Sequence, residues 1–409
     1  MRPRSWKAEK ANTSIYKVGV GYFKGVFPSF LLPKELGNTP SGPDFSKTLK
    51  LCLLPCVYKD MQISRRTFLA GSIGLALPDS VSSLMSRYEV PGAAIAVLRD
   101  GKIVENVPYG VKSTASEEKV VADTVFEAAS LSKPVFAYAV LWMAQRGELD
   151  LDKPLIDDVD RIEIAKDPRA RQITARVVLS QSTGLPNWRP RDKPLAIGFT
   201  PGTAFSYSGE AFVWLQRVVE KISGSSLEDF MRDRVLAPFG MRNSSYVWRP
   251  QFAFQAAEGH DMSGKPVRTR LWEWTPDKAP KLPPGVDVAV NAIPNAAASL
   301  YTTASDYALF VSRVLANPPK GMLVPRTKVN DQIEWALGWG IQHTAQGDAF
   351  WQWGNNGVYQ GFVLAYPADG RGMVILTNSQ NGLKFCRDAV LLVMKGEQPA
   401  FSLPLVVPA

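Results

Sequence analysis

Short apolar runs closed by turn residues stand at both ends of the folded part of this chain, and helical spacing fills the middle. Residues 80–88 read as a short helix, and residues 92–98 and 102–107 read as two strands. Between the strands, the pair Asp100-Gly101 suits a tight hairpin turn. From Ser130 to about Val314 the periodicity is helical but broken by Pro and Gly loops. Strands return beyond Glu334, over 336–342, 349–353, 361–366 and 372–376, with Pro367-Ala368-Asp369-Gly370 as a second hairpin turn. Residues 388–394 read as a closing helix. Because both ends supply strands and the middle supplies helices, the predicted fold class is α/β, of the α+β type. One sheet is built from residues 90–120 and 334–395, and a mostly helical subdomain, residues 121–333, is inserted between them. With 409 residues, 45% of them hydrophobic, the chain is long enough for one large domain or two subdomains around a real core. It carries no internal repeat, and no apolar run is long enough to span a bilayer, so no stable membrane insertion is expected.

Charge changes the picture only at the N-terminus. A net charge of +9 invites a nucleic-acid reading, but residues 1–60 hold ten Lys/Arg against four Asp/Glu, and Arg65 and Arg66 add two more. From position 79 onward there are 35 basic and 34 acidic residues, so the body is near neutral and no nucleic-acid face is expected. Met61-Gln62-Ile63-Ser64-Arg65-Arg66-Thr67-Phe68-Leu69-Ala70, followed by a short apolar stretch to Leu77, resembles a twin-arginine export signal. Such a signal belongs at the very N-terminus. The expectation is therefore that Met61 is the translation start, residues 1–60 an untranslated basic extension, 61–78 the signal, 79–395 the functional domain and 396–409 a C-terminal tail. The protein is then expected to be periplasmic or secreted. The alternative is that both segments form an ordinary basic N-terminus, and no small-x-small cleavage site follows Leu77.

The chemistry available is narrow. His260 and His343 are the two histidines; the first is read in a loop and the second at a strand end, both surface or structural. Cys52 and Cys56 lie in the leader and Cys386 is alone in the body, so a tetrahedral zinc site or a Ser-His-Asp triad, which would lean on His or clustered Cys, is disfavoured and chemistry that does not need histidine is favoured. No metal and no cofactor is expected. Ser130-Leu131-Ser132-Lys133, by contrast, sets a hydroxyl and an amine three residues apart at a predicted helix start, with the β-rich run Thr124-Val125-Phe126-Glu127 upstream. Pro134 then falls where a helix tolerates it. Residues at i and i+3 share a helix face, so the Lys133 amine can reach the Ser130 oxygen and activate it. Spacing alone does not single out this pair, since Ser14/Lys17 and Ser116/Lys119 match it too; the context does. Two further candidates are Tyr207, in a polar loop after Pro201-Gly202 and before a helical run, and Phe350-Trp351-Gln352-Trp353-Gly354-Asn355-Asn356. The latter is a strand ending at a glycine that lets a ligand approach the backbone.

In this order the three elements resemble the serine β-lactamase and penicillin-binding-protein superfamily, nearest to its branch of class C β-lactamases, DD-carboxypeptidases and family VIII esterases. The similarity runs over residues 80–395: Pro91-Gly92-Ala93-Ala94-Ile95-Ala96-Val97, Gly147-Glu148-Leu149-Asp150-Leu151-Asp152-Lys153-Pro154, Leu236-Ala237-Pro238-Phe239-Gly240-Met241 and Leu337-Gly338-Trp339-Gly340 all match. Leu179-Ser180-Gln181-Ser182-Thr183-Gly184-Leu185-Pro186 matches too, with Gln181 in place of the usual histidine. The resemblance implies a β-lactamase/transpeptidase-like fold with an antiparallel sheet flanked by helices, and a two-step hydrolysis of an ester or amide. Ser130 would be the acylated nucleophile and Lys133 its base. Tyr207 would shuttle a proton to the leaving group, as phenol or as a phenolate held by the lysine. The backbone N–H groups of Ser130 and Asn355 would hold the oxyanion.

Two departures tilt the reading towards esterase-like substrates. The family's Tyr-x-Asn motif ends here in Gly209, and its third motif, usually Lys or His followed by x-Gly, reads Gln352-Trp353-Gly354. A register beginning at Trp353 is similar to the Trp-x-Gly variants of some esterases; the register beginning at Gln352 keeps Gly354 in its place. Without a cation at this position, an attraction for a substrate carboxylate is lost. The partner expected is a small-molecule or peptide substrate, and the alternative function is a penicillin-binding or ligand-sensing protein that acylates or binds without efficient turnover. The loops 187–199 and 248–294, rich in Trp, Pro and Arg, are expected to shape the substrate pocket.

Overall fold

The computed structural model describes residues 77–189, 193–267 and 294–407. The basic extension, the twin-arginine segment up to residue 76 and parts of both pocket loops, residues 190–192 and 268–293, lie outside the described residues. In chain order the elements are α1 (Leu77–Tyr88), β1 (Gly92–Arg99), β2 (Lys102–Gly110), β3 (Phe126–Glu127), α2 (Ser132–Gln145), α3 (Ala175–Leu179), α4 (Gly209–Ser223) and α5 (Leu227–Met231). There follow α6 (Phe252–Gln255), β4 (Gly259–His260), β5 (Pro266–Val267), β6 (Tyr301–Thr302), α7 (Ala304–Ala316), β7 (Thr327–Lys328), β8 (Ile333–Trp335) and β9 (Gly340–Thr344). The chain closes with β10 (Gly347–Asn355), β11 (Gln360–Tyr366), β12 (Arg371–Thr377) and α8 (Gly382–Met394). Among the described residues, no helix is long and apolar enough to cross a membrane.

An antiparallel eight-stranded sheet, ordered β2-β1-β12-β11-β10-β9-β8-β7, joins the two ends of the chain where Ala93 of β1 pairs with Thr377 of β12. Both faces of its centre are covered, which is why β1, β11 and β12 read as nearly continuous apolar runs. Alternate side chains divide between two cores, as the two-residue period of a strand requires. Ala94, Ala96, Leu98, Val363, Ala365, Val374 and Leu376 pack towards the helical region with α2, α4 and α7. Ala93, Ile95, Val97, Phe362, Leu364, Met373 and Ile375 pack on the other face with α1 and α8.

The structure differs from the sequence reading in four places. Residues 336–342 are not one strand: β8 ends at Trp335, a turn intervenes, and β9 starts at Gly340. The turn is set by Gly338, at φ 102°, whose N–H donates to the Leu179 carbonyl at 2.9 Å. A Cβ there would lie 2.4 Å from Ala137 Cβ, so the connection is shaped by the approach of α2. The closing helix starts at Gly382, six residues before the expected 388. The middle region also holds two small strand pairs, β3 with β6 and β4 with β5. His260 is not in a loop but buried in β4. Its Nε2 accepts from the Thr114 N–H at 3.1 Å, which leaves Nδ1–H to donate to the Asn378 carbonyl at 3.0 Å. Burial lowers its pKa, so it is a neutral strut between two elements. His343, on β9, lies between Asp348 and Glu334, and Asp348 leads in raising its pKa.

Candidate active site

Ser130 sits in a turn of 3₁₀ helix, Ala129–Leu131, immediately before α2. Ala129 holds φ 51°, a left-handed conformation that disfavours a residue with a Cβ and that needs strong surroundings to persist. Those surroundings come from far along the chain. The hydroxyls of Tyr307 and Tyr246 donate to the carbonyls of Leu131 and Ser132, each at 2.9 Å. Ser132 Oγ donates to the Ala129 carbonyl at 2.5 Å and accepts from the Leu300 N–H at 3.0 Å. Pairing of β3 with β6 brings the Leu300 segment alongside, and the Ala128 N–H donates to the Leu300 carbonyl at 2.7 Å.

One residue into α2, Lys133 is 1% exposed, and its Nζ lies 3.0 Å from Ser130 Oγ and 2.9 Å from the Ala297 carbonyl. The rings of Tyr207, Phe212 and Trp188 surround the amine, with centroids 4.8, 5.7 and 5.8 Å from Nζ. Burial lowers its pKa from 10.5 to about 7, so near neutral pH much of it is the free amine. The burial that such a base requires is met without a neighbouring positive charge.

Tyr207 is fixed from both sides. Gln181, itself at φ 53°, accepts from the Ser206 N–H through its backbone carbonyl and from the Ser208 N–H through its side-chain oxygen, both at 2.7 Å. Ser208 then caps α4 by accepting from the Ala211 N–H at 3.0 Å. A glutamine thus clamps the tyrosine loop at the place where the resemblance leads one to expect histidine. Because β9 pairs with β10 only as far as Trp351, the stretch from Gln352 to Asn355 presents a free edge on that side. The Tyr207 ring lies there, 4.5 Å from the Trp353 ring and 5.7 Å from the Trp335 ring. Its hydroxyl lies against Ser130 and accepts from Gln352 Nε2 at 2.8 Å. Burial pushes the Tyr207 pKa well up, ahead of the opposing effects of those two hydrogen bonds. The lysine amine lies over the ring face, and burial favours the phenol form of the group.

The remaining candidates divide. Gln352 is fully buried and gives its Nε2 to the Ser130 carbonyl at 3.1 Å as well as to Tyr207. Trp353 reaches the cluster through ring contact alone. A Cβ on Gly354 would lie 2.3 Å from the Ala128 carbonyl oxygen, so only glycine lets β10 run this close to the Ser130 turn. That proximity sets the end of β10, where Asn355 follows, beside the nucleophile. The Asn355 side chain is exposed and accepts from the Gly357 N–H at 2.9 Å. A Cβ on Gly209 would lie 2.1 Å from the Trp188 indole, so the space beyond the usual motif residue is filled from another loop. Sequence reasoning missed Tyr246, Tyr307, Ala297 and Trp188; no local signal marks them. Among the described residues, no group of His, Cys, Asp and Glu could hold a metal ion.

Comparison with known proteins identifies the family and several relatives. A family model described as Beta-lactamase matches residues 77–394. Esterase EstB of Burkholderia gladioli is 27% identical over 375 residues, which cover 76% of this chain and 91% of the esterase. Penicillin-binding protein 4 of Amycolatopsis lactamdurans is 28% identical over 214 residues, 48% of this chain, and the match spans little more than half of that protein, 56%. A Beta-Lactamase/D-Alanine Carboxypeptidase from Pseudomonas syringae superposes with a TM-score of 0.65 at 18% identity, covering 79% of this chain and all (100%) of that one; at that identity the likeness concerns the fold.

Proposed function

The chain belongs to the Beta-lactamase family of serine hydrolases, and from that premise we propose that it cleaves an ester or amide through an acyl-serine at Ser130. The observation that carries the proposal is the Lys133 amine, buried, partly deprotonated near pH 7 and 3.0 Å from the Ser130 oxygen. As the bond from Ser130 Oγ to the acyl carbon forms, the serine proton passes to Lys133. The Tyr207 phenol gives its proton to the departing oxygen or nitrogen as that bond breaks, and the Lys133 ammonium replaces it. Negative charge on the acyl oxygen falls to the backbone N–H groups of Ser130 and Asn355, at the positive end of α2. Water then repeats the sequence and frees the acid.

Substrate preference follows from what the site lacks. With an amide at position 352 and no side chain at 209, these two positions supply neither a cation for a carboxylate nor an amide for an acylamino group, which favours uncharged esters. Esterase EstB, matched over most of its length, supports this reading. Nitrocefin and p-nitrophenyl ester assays on the wild type and on Ser130→Ala test it: ester turnover that disappears in the variant is expected. Stoichiometric labelling of Ser130 without turnover would make the protein a penicillin-binding or ligand sensor instead. We also propose export through the Met61–Leu77 segment to a periplasmic or secreted location. Mass spectrometry of the native N-terminus tests this, and a peptide from residues 1–60 would overturn the assigned start.

A further inference from the structure

We propose that Gln352 is a positioning residue that fixes the direction of the hydrogen bonds in the cluster, so that the Tyr207 proton points to the Ser130 oxygen, the side from which it can pass to the leaving group. The inference rests on the hydrolase reading and concerns how that site is governed. Its anchor is a backbone carbonyl. The Ser130 carbonyl oxygen can only accept, and it lies 3.1 Å from the Gln352 amide, so the NH₂ end must face it. The same nitrogen lies 2.8 Å from the Tyr207 oxygen and donates its second hydrogen there. With its oxygen accepting from Gln352, Tyr207 is left to donate to its other polar neighbour, Ser130 Oγ.

A second carbonyl closes the far end. The Ala297 oxygen takes a hydrogen from Lys133 Nζ at 2.9 Å, and a neutral amine then has its lone pair free for the Ser130 hydroxyl at 3.0 Å. All bonds therefore run from Gln352 through Tyr207 and Ser130 to Lys133, the direction in which Ser130 is deprotonated. A cation at position 352 would also donate, but it would favour the phenolate; an amide orders the chain and leaves Tyr207 neutral. Gln352 Oε1 is buried and has no partner among the described residues, so the side chain meets the cluster through its donors alone. The titratable groups around the cluster among the described residues include Lys133 and Tyr207; Glu127 on β3, which accepts from Asn356 Nδ2 at 3.1 Å; Glu210 on α4, paired with Arg161 at 2.6 Å; and the buried Tyr246 and Tyr307, whose hydroxyls are bound to the α2 turn. Both of these stay protonated because burial raises their pKa.

The test is the pH dependence of kcat and KM, followed by pH-stat, for ethyl acetate, whose alkoxide leaving group needs a proton, in the wild type, Gln352→Met and Gln352→Glu. In the wild type kcat/KM should rise once, as Lys133 loses its proton near 7, and stay level to about pH 10. Gln352→Met should lower kcat on the order of a hundredfold with KM little changed, the low end of general-acid contributions. In a Tyr207→Phe background the same change should add almost nothing. Gln352→Glu should invert the profile, because its carboxylate draws the phenol proton away from Ser130 once ionised. A Gln352→Met rate within about twofold of wild type, or a full further loss on top of Tyr207→Phe, overturns the proposal. So does a wild-type profile that falls again between about pH 8 and 10, a result that needs no variant to fold. If the wild type itself has no Ser130-dependent turnover, the hydrolase reading fails and this inference with it, whatever the variants do.

Discussion

Replacing Lys133 with methionine separates what the lysine does for chemistry from what it does to stability. Methionine keeps the unbranched volume among Tyr207, Phe212 and Trp188 and removes the charge. In the folded state burial holds Lys133 at about 7, against 10.5 for the ordinary group. The folded value lies below the unfolded one, so between them the unfolded chain binds a proton that the folded chain does not. Stability from this group must therefore rise with pH across that window, by about 1.4 kcal/mol per pH unit. The whole shift corresponds to about 5 kcal/mol, present as a penalty below about pH 7 and relieved as the pH climbs towards 10.5. Urea unfolding of both proteins at about pH 7.5 and about pH 9.5 reads the difference directly, because the other groups titrate alike in both. Lys133→Met should be the more stable protein at the lower pH, and the wild type should gain about 3 kcal/mol on it at the higher. Ester turnover in the variant should be lost at every pH. A stability difference that stays flat, or that moves against the wild type as pH rises, would refute the reasoning that burial makes this amine a base.

Two glycines give further predictions. Gly354→Ala places a methyl group against the Ala128 carbonyl, so it should push β10 off the Ser130 turn and lower the melting temperature by an amount equivalent to about 1–3 kcal/mol, with a larger fall in kcat than in KM. Gly209→Asn, which restores the usual motif residue, should destabilise the protein because the Trp188 indole occupies the space. Adding Trp188→Ala should recover the melting temperature, and failure of that rescue in thermal unfolding would remove Trp188 from the explanation.

How far the sequence reaches can be seen residue by residue. The β1–β2 hairpin is legible because its turn is local: Asp100 and Gly101 both take positive φ, 51° and 70°, as an Asp-Gly pair suits. The Ser130–Lys133 contact is legible for the same reason, being one helical turn. By contrast, the turn at Gly338 exists because Ala137 comes close from another element, and Gly382 opens α8 because a Cβ there would meet Thr377 Oγ1 at 2.0 Å. Neither glycine signals this locally. The clamps on the nucleophile are equally distant in sequence: Tyr246 lies 114 residues from Ser132, Ala297 lies 164 from Lys133, and Tyr307 lies 176 from Leu131. Gln352 is legible as a motif position, but the hydrogen bonds it makes are not. It faces Ser130 and Tyr207 with both donors, which only the fold brings within reach.

The most direct test is intact-protein mass spectrometry after rapid acid quench during turnover of a p-nitrophenyl ester, followed by peptide mapping. A covalent increment equal to the acyl group, located on Ser130 and absent from Ser130→Ala, is the predicted result. An adduct on another residue, or ester hydrolysis undiminished in Ser130→Ala, would contradict the account.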